Sequence, residues 1–211
     1  MENKQQRMIE EQIIARGVKD ARVLDAIQKV PRDKFVEESM TPFAYEDAPL
    51  PISEGQTISQ PYIVALMTEQ AEINSQDRVL EVGTGSGYSA AILSLLASEV
   101  YSIERHASLA KTAKQRLETL GYHNITILVE DGTLGYKQGA PYDAIIVTAA
   151  APKAPETLLQ QLAIHGRLII PVGSHLENQQ LIRIRRTTEN DYIYEELLAV
   201  RFVPLIGKEG W

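Results

Sequence analysis

The chain has no cysteine. Disulfides, thiolate catalysis and cysteine-ligated metals are therefore excluded. Histidine is scarce: His106, His123, His165 and His175 are scattered, with no spacing that suits a metal. Only His106 falls near residues of interest. Lys and Arg form no long run, and the net charge is −7. A phosphate backbone calls for clustered cations, so no nucleic-acid partner is expected. The one basic cluster, Arg183, Arg185 and Arg186, alternates with Ile182 and Ile184. That period of two predicts the solvent face of an edge strand. No apolar run is long enough to span a membrane. Residues Met1 to Arg7 are polar and lack a signal-peptide core. A cytoplasmic monomer is expected.

What is present is ordinary for a soluble globular protein. The 44% apolar and 23% charged residues allow a sizeable core. A length of 211 residues suggests one structural domain with an appendage: residues 1–60 as helices and a covering loop, 61–211 as an α/β core.

The most informative stretch is Val79-Leu80-Glu81-Val82-Gly83-Thr84-Gly85-Ser86-Gly87-Tyr88. It reads as a strand, a tight glycine turn and a helix start. Glycine lacks a Cβ and tolerates positive φ, so such a turn lets backbone approach a ligand. The dinucleotide fingerprint is G-x-G-x-x-G, with a pyrophosphate at the helix N-terminus. Here the spacing is G-x-G-x-G, and Glu81 precedes it. A carboxylate there would repel a pyrophosphate and suit an ammonium. S-adenosylmethionine carries adenosine, an amino acid end and a sulfonium, and no phosphate. An ordinary glycine-rich βα turn would share the pattern.

Before this stretch, residues up to about Met40 read as helical, punctuated by Gly17 and Pro31. Thr41 to Gln60 is a proline-rich irregular segment, and a helix is predicted over Pro61–Ile73. After it, strands alternate with helices. Strands are predicted at 79–82, 100–103, 125–129, 144–147 and 168–170, with helices at 88–97, 107–120 and 155–164. Such alternation argues for a parallel sheet covered on both faces. The tail differs: 180–186, 192–198 and 200–203 read as strands with no helix between them. The expected fold is a Rossmann-like, doubly wound α/β sheet with antiparallel C-terminal strands and an N-terminal helical appendage.

In open α/β sheets ligands bind beyond the carboxyl ends of the strands. Those ends carry Glu81 with its glycines, Glu104, Asp131 with Gly132, and Thr148. Glu104 lies about twenty residues past the first glycine, where an acid accepts ribose hydroxyls. Asp131 is placed to accept from an adenine amino group. Any one of these carboxylates alone would read as a cap or a solvated residue; together they mark a site. A second signal is Gly55-Gln56-Thr57-Ile58-Ser59-Gln60-Pro61, a hydroxyl- and amide-rich loop entering a helix. Ser59 has no His or Asp partner in sequence and no nucleophile-elbow context. It is open to reading as a plain N-cap.

Together with Val30-Pro31-Arg32-Asp33-Lys34-Phe35-Val36, Tyr142–Pro152 and Val200-Arg201-Phe202-Val203-Pro204-Leu205, these segments resemble the protein-L-isoaspartate O-methyltransferase family over nearly the whole chain. The resemblance implies methyl transfer from S-adenosylmethionine to the free α-carboxylate of L-isoaspartyl residues in damaged proteins. The ester then closes to a succinimide faster than the acid does, and hydrolysis returns some aspartate. The resemblance implies Ser59 as the active-site residue. It implies a cofactor set of Thr57, Ile58, Glu81, Gly83, Gly85, Glu104, Arg105, Asp131, Gly132 and Thr148. Substrate contacts are implied at Thr57, Ser59, Ala149, Val203 and Leu205. Thr133 and Tyr136 depart from the tryptophans often found after the Asp-Gly pair.

Other readings share parts of this pattern. A non-catalytic adenosine-nucleotide sensor would not need the Gly55–Pro61 loop. A dehydrogenase is disfavoured by the glycine spacing. A small-molecule methyltransferase would carry a larger apolar lid.

The chemistry fits a site without an acid–base pair. A carboxylate has a pKa near 4 and is ionised at neutral pH. It needs neither a general base nor a metal to become a nucleophile. Activity should therefore survive exhaustive EDTA treatment. Loss of activity that a divalent ion restores would overturn this.

Overall fold

The computed structural model describes residues 4–175 and 178–211. The N-terminal apolar stripes fold into helix α1 (Lys4–Met8), extended by a π turn over Ile9–Ile13 and a 3-10 turn over Ile14–Arg16. Gly17, with φ of 98°, ends it. Helix α2 (Ala21–Lys29) follows, capped by the Asp20 side chain, which accepts from the Arg22 N–H. Residues 41–60 are not wholly irregular. They contain a small hairpin, β1 (Leu50–Pro51) against β2 (Thr57–Ile58). Its tip includes Glu54 at φ 59°. Arg32 is fully buried beneath this segment and donates from Nε to the Ala44 carbonyl at 2.8 Å. Helix α3 (Pro61–Gln70) begins with Pro61 at its first position and Gln60 before it, and is shorter than expected.

The remaining elements are β3 (Arg78–Val82), α4 (Tyr88–Ser94), β4 (Glu99–Glu104), α5 (Ala107–Thr119), β5 (Ile125–Val129), β6 (Tyr142–Val147), α6 (Glu156–Gln160), β7 (Leu162–His175), β8 (Asn178–Arg186) and β9 (Tyr192–Val200). They form a seven-stranded sheet in the order β5-β4-β3-β6-β7-β8-β9. The first five positions are parallel; β7, β8 and β9 are antiparallel. The strand order reverses between β3 and β6, and a crevice opens at such a switch point. Side chains alternate as the pleat requires. Val79, Ile146 and Ile169 join α2–α5 and the N-terminal Met8, Ile9 and Ile13 in one core. Leu80, Val82, Ile145, Val147, Leu168 and Ile170 join Leu158 and Leu205 in the other.

Three expectations change. The helix predicted to Ile164 ends at Gln160, and Leu162 already pairs with Tyr142 in the sheet. A short apolar run has no period that separates helix from strand. Residues 200–203 are no strand of their own: Val200 ends β9, and Pro204 makes only a bridge to Ala150. The basic cluster lies on β8, an inner strand. Arg183 and Arg185 both pair with Glu72 and Glu195. Arg186 donates to backbone carbonyls, Leu162 among them. Among the described residues no helix is long and apolar enough to cross a membrane.

Arg167 ties the two halves of this architecture. From β7 it donates to the carbonyls of Ala71 (2.8 Å) and Glu72 (2.6 Å), just past α3, and pairs with Asp77 at 3.2 Å. It is nearly buried. Removing it leaves those acceptors without a donor. Arg167→Met should cost about 2–4 kcal/mol, measured by urea unfolding. A loss under about 0.5 kcal/mol, the range of an ordinary surface substitution, would show that the tie is dispensable.

Candidate active site

The glycine loop follows β3 at the switch point, and three independent ties hold it. On one side Gly83 N–H and Thr84 N–H donate to the Ile103 carbonyl of β4, at 2.8 and 3.3 Å. On the other, Thr148 at the end of β6 donates from its hydroxyl toward the carbonyls of Val82 (3.1 Å) and Gly83 (2.9 Å). A Cβ on Gly83 would overlap that hydroxyl, and the residue's φ is 99°. Third, Gly85 N–H donates to Glu104 Oε2 at 2.9 Å. Glu104 Oε1 accepts from His106 N–H at 3.0 Å. Each Glu104 oxygen keeps lone pairs for a further donor.

Three cavities meet here. The first is lined by Gln56, Thr57, Gly83, Gly85, Glu104–His106, Gly132, Thr148, Ala149 and 203–206. A smaller one lies between the glycine loop and Thr57–Ser59. A third, of about 500 Å³, runs from Thr57, Ser59 and Thr148 along 198–203 to Arg16. Thr57 and Thr148 line all three. The hydroxyls of Thr57 and Ser59 are committed to no hydrogen bond among the described residues.

Most of the sequence-predicted residues come together at these cavities: Thr57, Gly83, Gly85, Glu104, Arg105, Gly132 and Thr148 in the first, Ile58 and Ser59 beside it. Val203 lines the first and third cavities, whereas Ala149 and Leu205 line only the first, on the same wall as the cofactor candidates. Two carboxylates differ from expectation. Asp131 is not among the residues that line these three cavities. Its Oδ1 accepts from Thr133 N–H (2.9 Å) and the Thr133 hydroxyl (2.7 Å), and Oδ2 accepts from Lys208 N–H (2.8 Å). Burial alone would raise its pKa; these donors and Arg105 outweigh burial and hold it below the usual range. Oδ1 thus serves Thr133 and Oδ2 the Lys208 N–H of segment 206–211, whose return to this strand end has no local sequence signal. Thr133 is buried in the same contact and not in the cavity.

Glu81 is the second. It is fully buried under the loop and faces no ligand cavity directly. Ser102 donates to it at 2.5 Å, and Thr84 of the loop bonds Ser102 at 2.6 Å. Burial pushes its carboxyl up to about 7; hydrogen bonds from Ser102 and Ser89 oppose this, and the charge of Glu104 adds to it. Gln56 and Pro204 of the first cavity lie within the quoted motifs without having been assigned a role. Residues missed from sequence include Ile103 and Ile206 in the first cavity and Arg16, Ile63 and Leu198 in the third, where only neighbours carried a motif.

The arrangement suits S-adenosylmethionine. Gly83 and Gly85 let the loop come close, Glu104 offers acceptors for a ribose diol, and Ile103, Leu205 and Ile206 give apolar walls for a flat base. No phosphate-binding cation lies on the loop. Fold and site together define a Rossmann-like S-adenosylmethionine-dependent methyltransferase. The family model for protein-L-isoaspartate(D-aspartate) O-methyltransferase matches residues 3–210. The chain is 62% identical over 204 residues to the protein-L-isoaspartate O-methyltransferase of Protochlamydia amoebophila, covering 97% of each. It is 59% identical to protein-L-isoaspartate O-methyltransferase 2 of Pelobacter propionicus, over 97% of this chain and 91% of that one. Among solved structures it resembles one from Plasmodium falciparum, described as a protein-L-isoaspartate O-methyltransferase in complex with S-adenosyl-L-homocysteine. There the TM-score is 0.84 at 28% identity, covering 97% and 99% of the two chains. The chain belongs to the protein-L-isoaspartate(D-aspartate) O-methyltransferase family, enzymes of protein repair.

The raised pKa of Glu81 has a sign that can be checked. The folded state holds this proton up to about pH 7, whereas the unfolded chain releases it near the ordinary Glu value of about 4.3. Stability from this group is complete below the unfolded value and is lost as pH rises through 7. Between pH 5 and 8, the wild type should lose on the order of 2–3 kcal/mol relative to Glu81→Gln. Parallel denaturation profiles for the two proteins would refute it.

Proposed function

We propose that this chain methylates the free α-carboxylate of L-isoaspartyl residues in damaged proteins and peptides where its three cavities converge on Thr57 and Thr148. That convergence is the observation that carries the reading. A donor seated along Gly83, Gly85 and Glu104 and an acceptor entering beside Val203 would meet at one wall. S-adenosylmethionine supplies an activated methyl group on a sulfonium. The protein's part is placement. Glu104 takes the ribose hydroxyls, the glycine loop gives backbone approach, and Ile103, Leu205 and Ile206 enclose the base. Residues 1–60 act as a cover for cofactor and substrate, and 61–211 as the catalytic core, within one structural domain.

Thr57 and Ser59 orient the substrate carboxylate with their free hydroxyls. No histidine stands beside Ser59 to activate it, so Ser59 is a hydrogen-bond donor and not a nucleophile. Donor and acceptor carry opposite charges that are lost as the methyl moves. A dry, aligned site therefore helps more than an acid or base. Backbone along 201–205 offers contacts that ignore the flanking sequence, as a repair enzyme needs. On this reading the chain acts as a cytoplasmic monomer without nucleic acid, in keeping with its lack of cysteine and its charge of −7.

The test pairs peptides that differ only in isoaspartyl against normal aspartyl linkage. Labelled methyl should pass from S-adenosylmethionine to the first alone. Ser59→Ala should lower kcat/KM about tenfold, the worth of one orienting hydrogen bond of about 1–1.5 kcal/mol. Calorimetric affinity for S-adenosylhomocysteine should stay within about twofold. Equal labelling of both peptides would sink the substrate assignment, and unaltered turnover would remove Ser59 from the site.

A further inference from the structure

The third cavity has a charge pattern that the methyl-transfer reading does not use. Its walls carry two cations, Arg16 and Arg201, and no acidic side chain. This lies in a protein of net charge −7. The two arginines are not equivalent. Arg16 pairs with Asp47 at 3.0 Å and lies over the Tyr62 ring, 3.5 Å from its centroid. Its charge is already answered. Arg201 is exposed and has no ion pair among the described residues.

The backbone beneath Arg201 is fixed. The buried Gln179 amide clamps the next residue: its Oε1 accepts from Phe202 N–H at 2.6 Å and its Nε2 donates to the Phe202 carbonyl at 3.1 Å. One residue further, the Val203 carbonyl accepts from Ala150 N–H at 2.8 Å. Arg201 thus projects from a rigid segment two residues from the point where the groove joins the cofactor cavity. A free guanidinium on such a base is suited to a carboxylate. The reacting carboxylate is a poor partner. Its charge disappears during transfer, so pairing with Arg201 would favour the ground state over the transition state. A second carboxylate on the substrate keeps its charge throughout.

We infer that Arg201 is a specificity-determining residue, whose guanidinium in the groove beside Val203 binds a second carboxylate of the substrate chain near the isoaspartyl residue. The carboxylate belongs to an acidic side chain or to a nearby chain terminus. The inference rests on the proposed use of this groove by the isoaspartyl peptide.

The experiment measures kcat/KM for isoaspartyl peptides with Glu, Gln or Lys placed in turn at each flanking position, all with amidated ends. A neutral peptide is run with a free and an amidated C-terminus. At low ionic strength, one position should favour Glu over Gln by about threefold to tenfold and disfavour Lys. Salt should shrink the ratio. In Arg201→Ala the Glu/Gln ratio should fall to about one, and in Arg201→Glu the order should turn toward Lys. Calorimetry with S-adenosylhomocysteine checks that both variants are folded. A preference for the free over the amidated end, lost in Arg201→Ala, assigns the carboxylate to a chain terminus. Ratios near one throughout the wild-type series, or preferences unmoved in both variants, overturn the inference while leaving the groove's use intact. If the wild type methylates no isoaspartyl peptide at all, the groove assignment itself fails.

Discussion

Gly83 has no room for a side chain because the Thr148 hydroxyl fills that space, and the rest of the site hangs on this contact. Thr148 directly follows β6 and Gly83 directly follows β3, so the contact sits at the switch point of the sheet. It fixes the loop from one side, while Ile103 and Glu104 at the end of β4 fix it from the other. From below, Glu81 reaches it through Ser102 and Thr84. A loop tied on three sides keeps its shape without help from a ligand, which lowers the ordering cost of binding. Any residue but glycine at position 83 would meet both the hydroxyl and a disfavoured φ.

Around this fixed point stand the sheet on one side and, on the other, N-terminal residues such as Gln56, Thr57 and Ser59 that line the cavities. The core strands are buried on both faces. The hairpin formed by β1 and β2 lies over the loop, with Ile52 beside Gly85 and Glu54 bonded to Ser108 at the start of α5. Glu54 holds a left-handed conformation to make that contact. Such conformations carry a cost in non-glycine residues and persist where surroundings fix them. The reaction removes one positive and one negative charge, and an enclosed site favours that loss. On the proposed reading, enclosure and fixed geometry take the place of an acid–base pair.

Much of this was legible because local chemistry and tertiary role coincide. The glycine spacing, the apolar β-branched runs and the acid after β4 each mean the same thing locally and in the fold. Glu104 and Thr148 were readable for that reason. Where the two part, sequence misled. Glu81 looks like a ligand group by spacing, but the pleat turns it inward. Asp131 sits at a strand end as expected, yet one of its oxygens accepts from Thr133 two residues on and the other from the Lys208 N–H, seventy-seven positions away. Leu162–Ile164 has the composition of a helix end and is drawn into the sheet by Tyr142. Arg183 and Arg185 alternate like surface residues, and only the fold brings Glu72 across to meet them. Long-range pairings of this kind leave no periodic trace.

Segment 203–211 follows every strand of the sheet in the chain and still builds a wall of the cofactor cavity. Val203 and Leu205 bracket Ala150 by backbone hydrogen bonds, the Trp211 indole donates to Ala150, and Glu209 caps Thr157. Synthesis on the ribosome runs in one direction, and domains close as their parts emerge. All seven strands can therefore assemble before this wall exists. A ligand stabilises only the state it binds. A ligand seated against this wall would therefore favour the state in which segment 203–211 is docked over one in which only the sheet has formed.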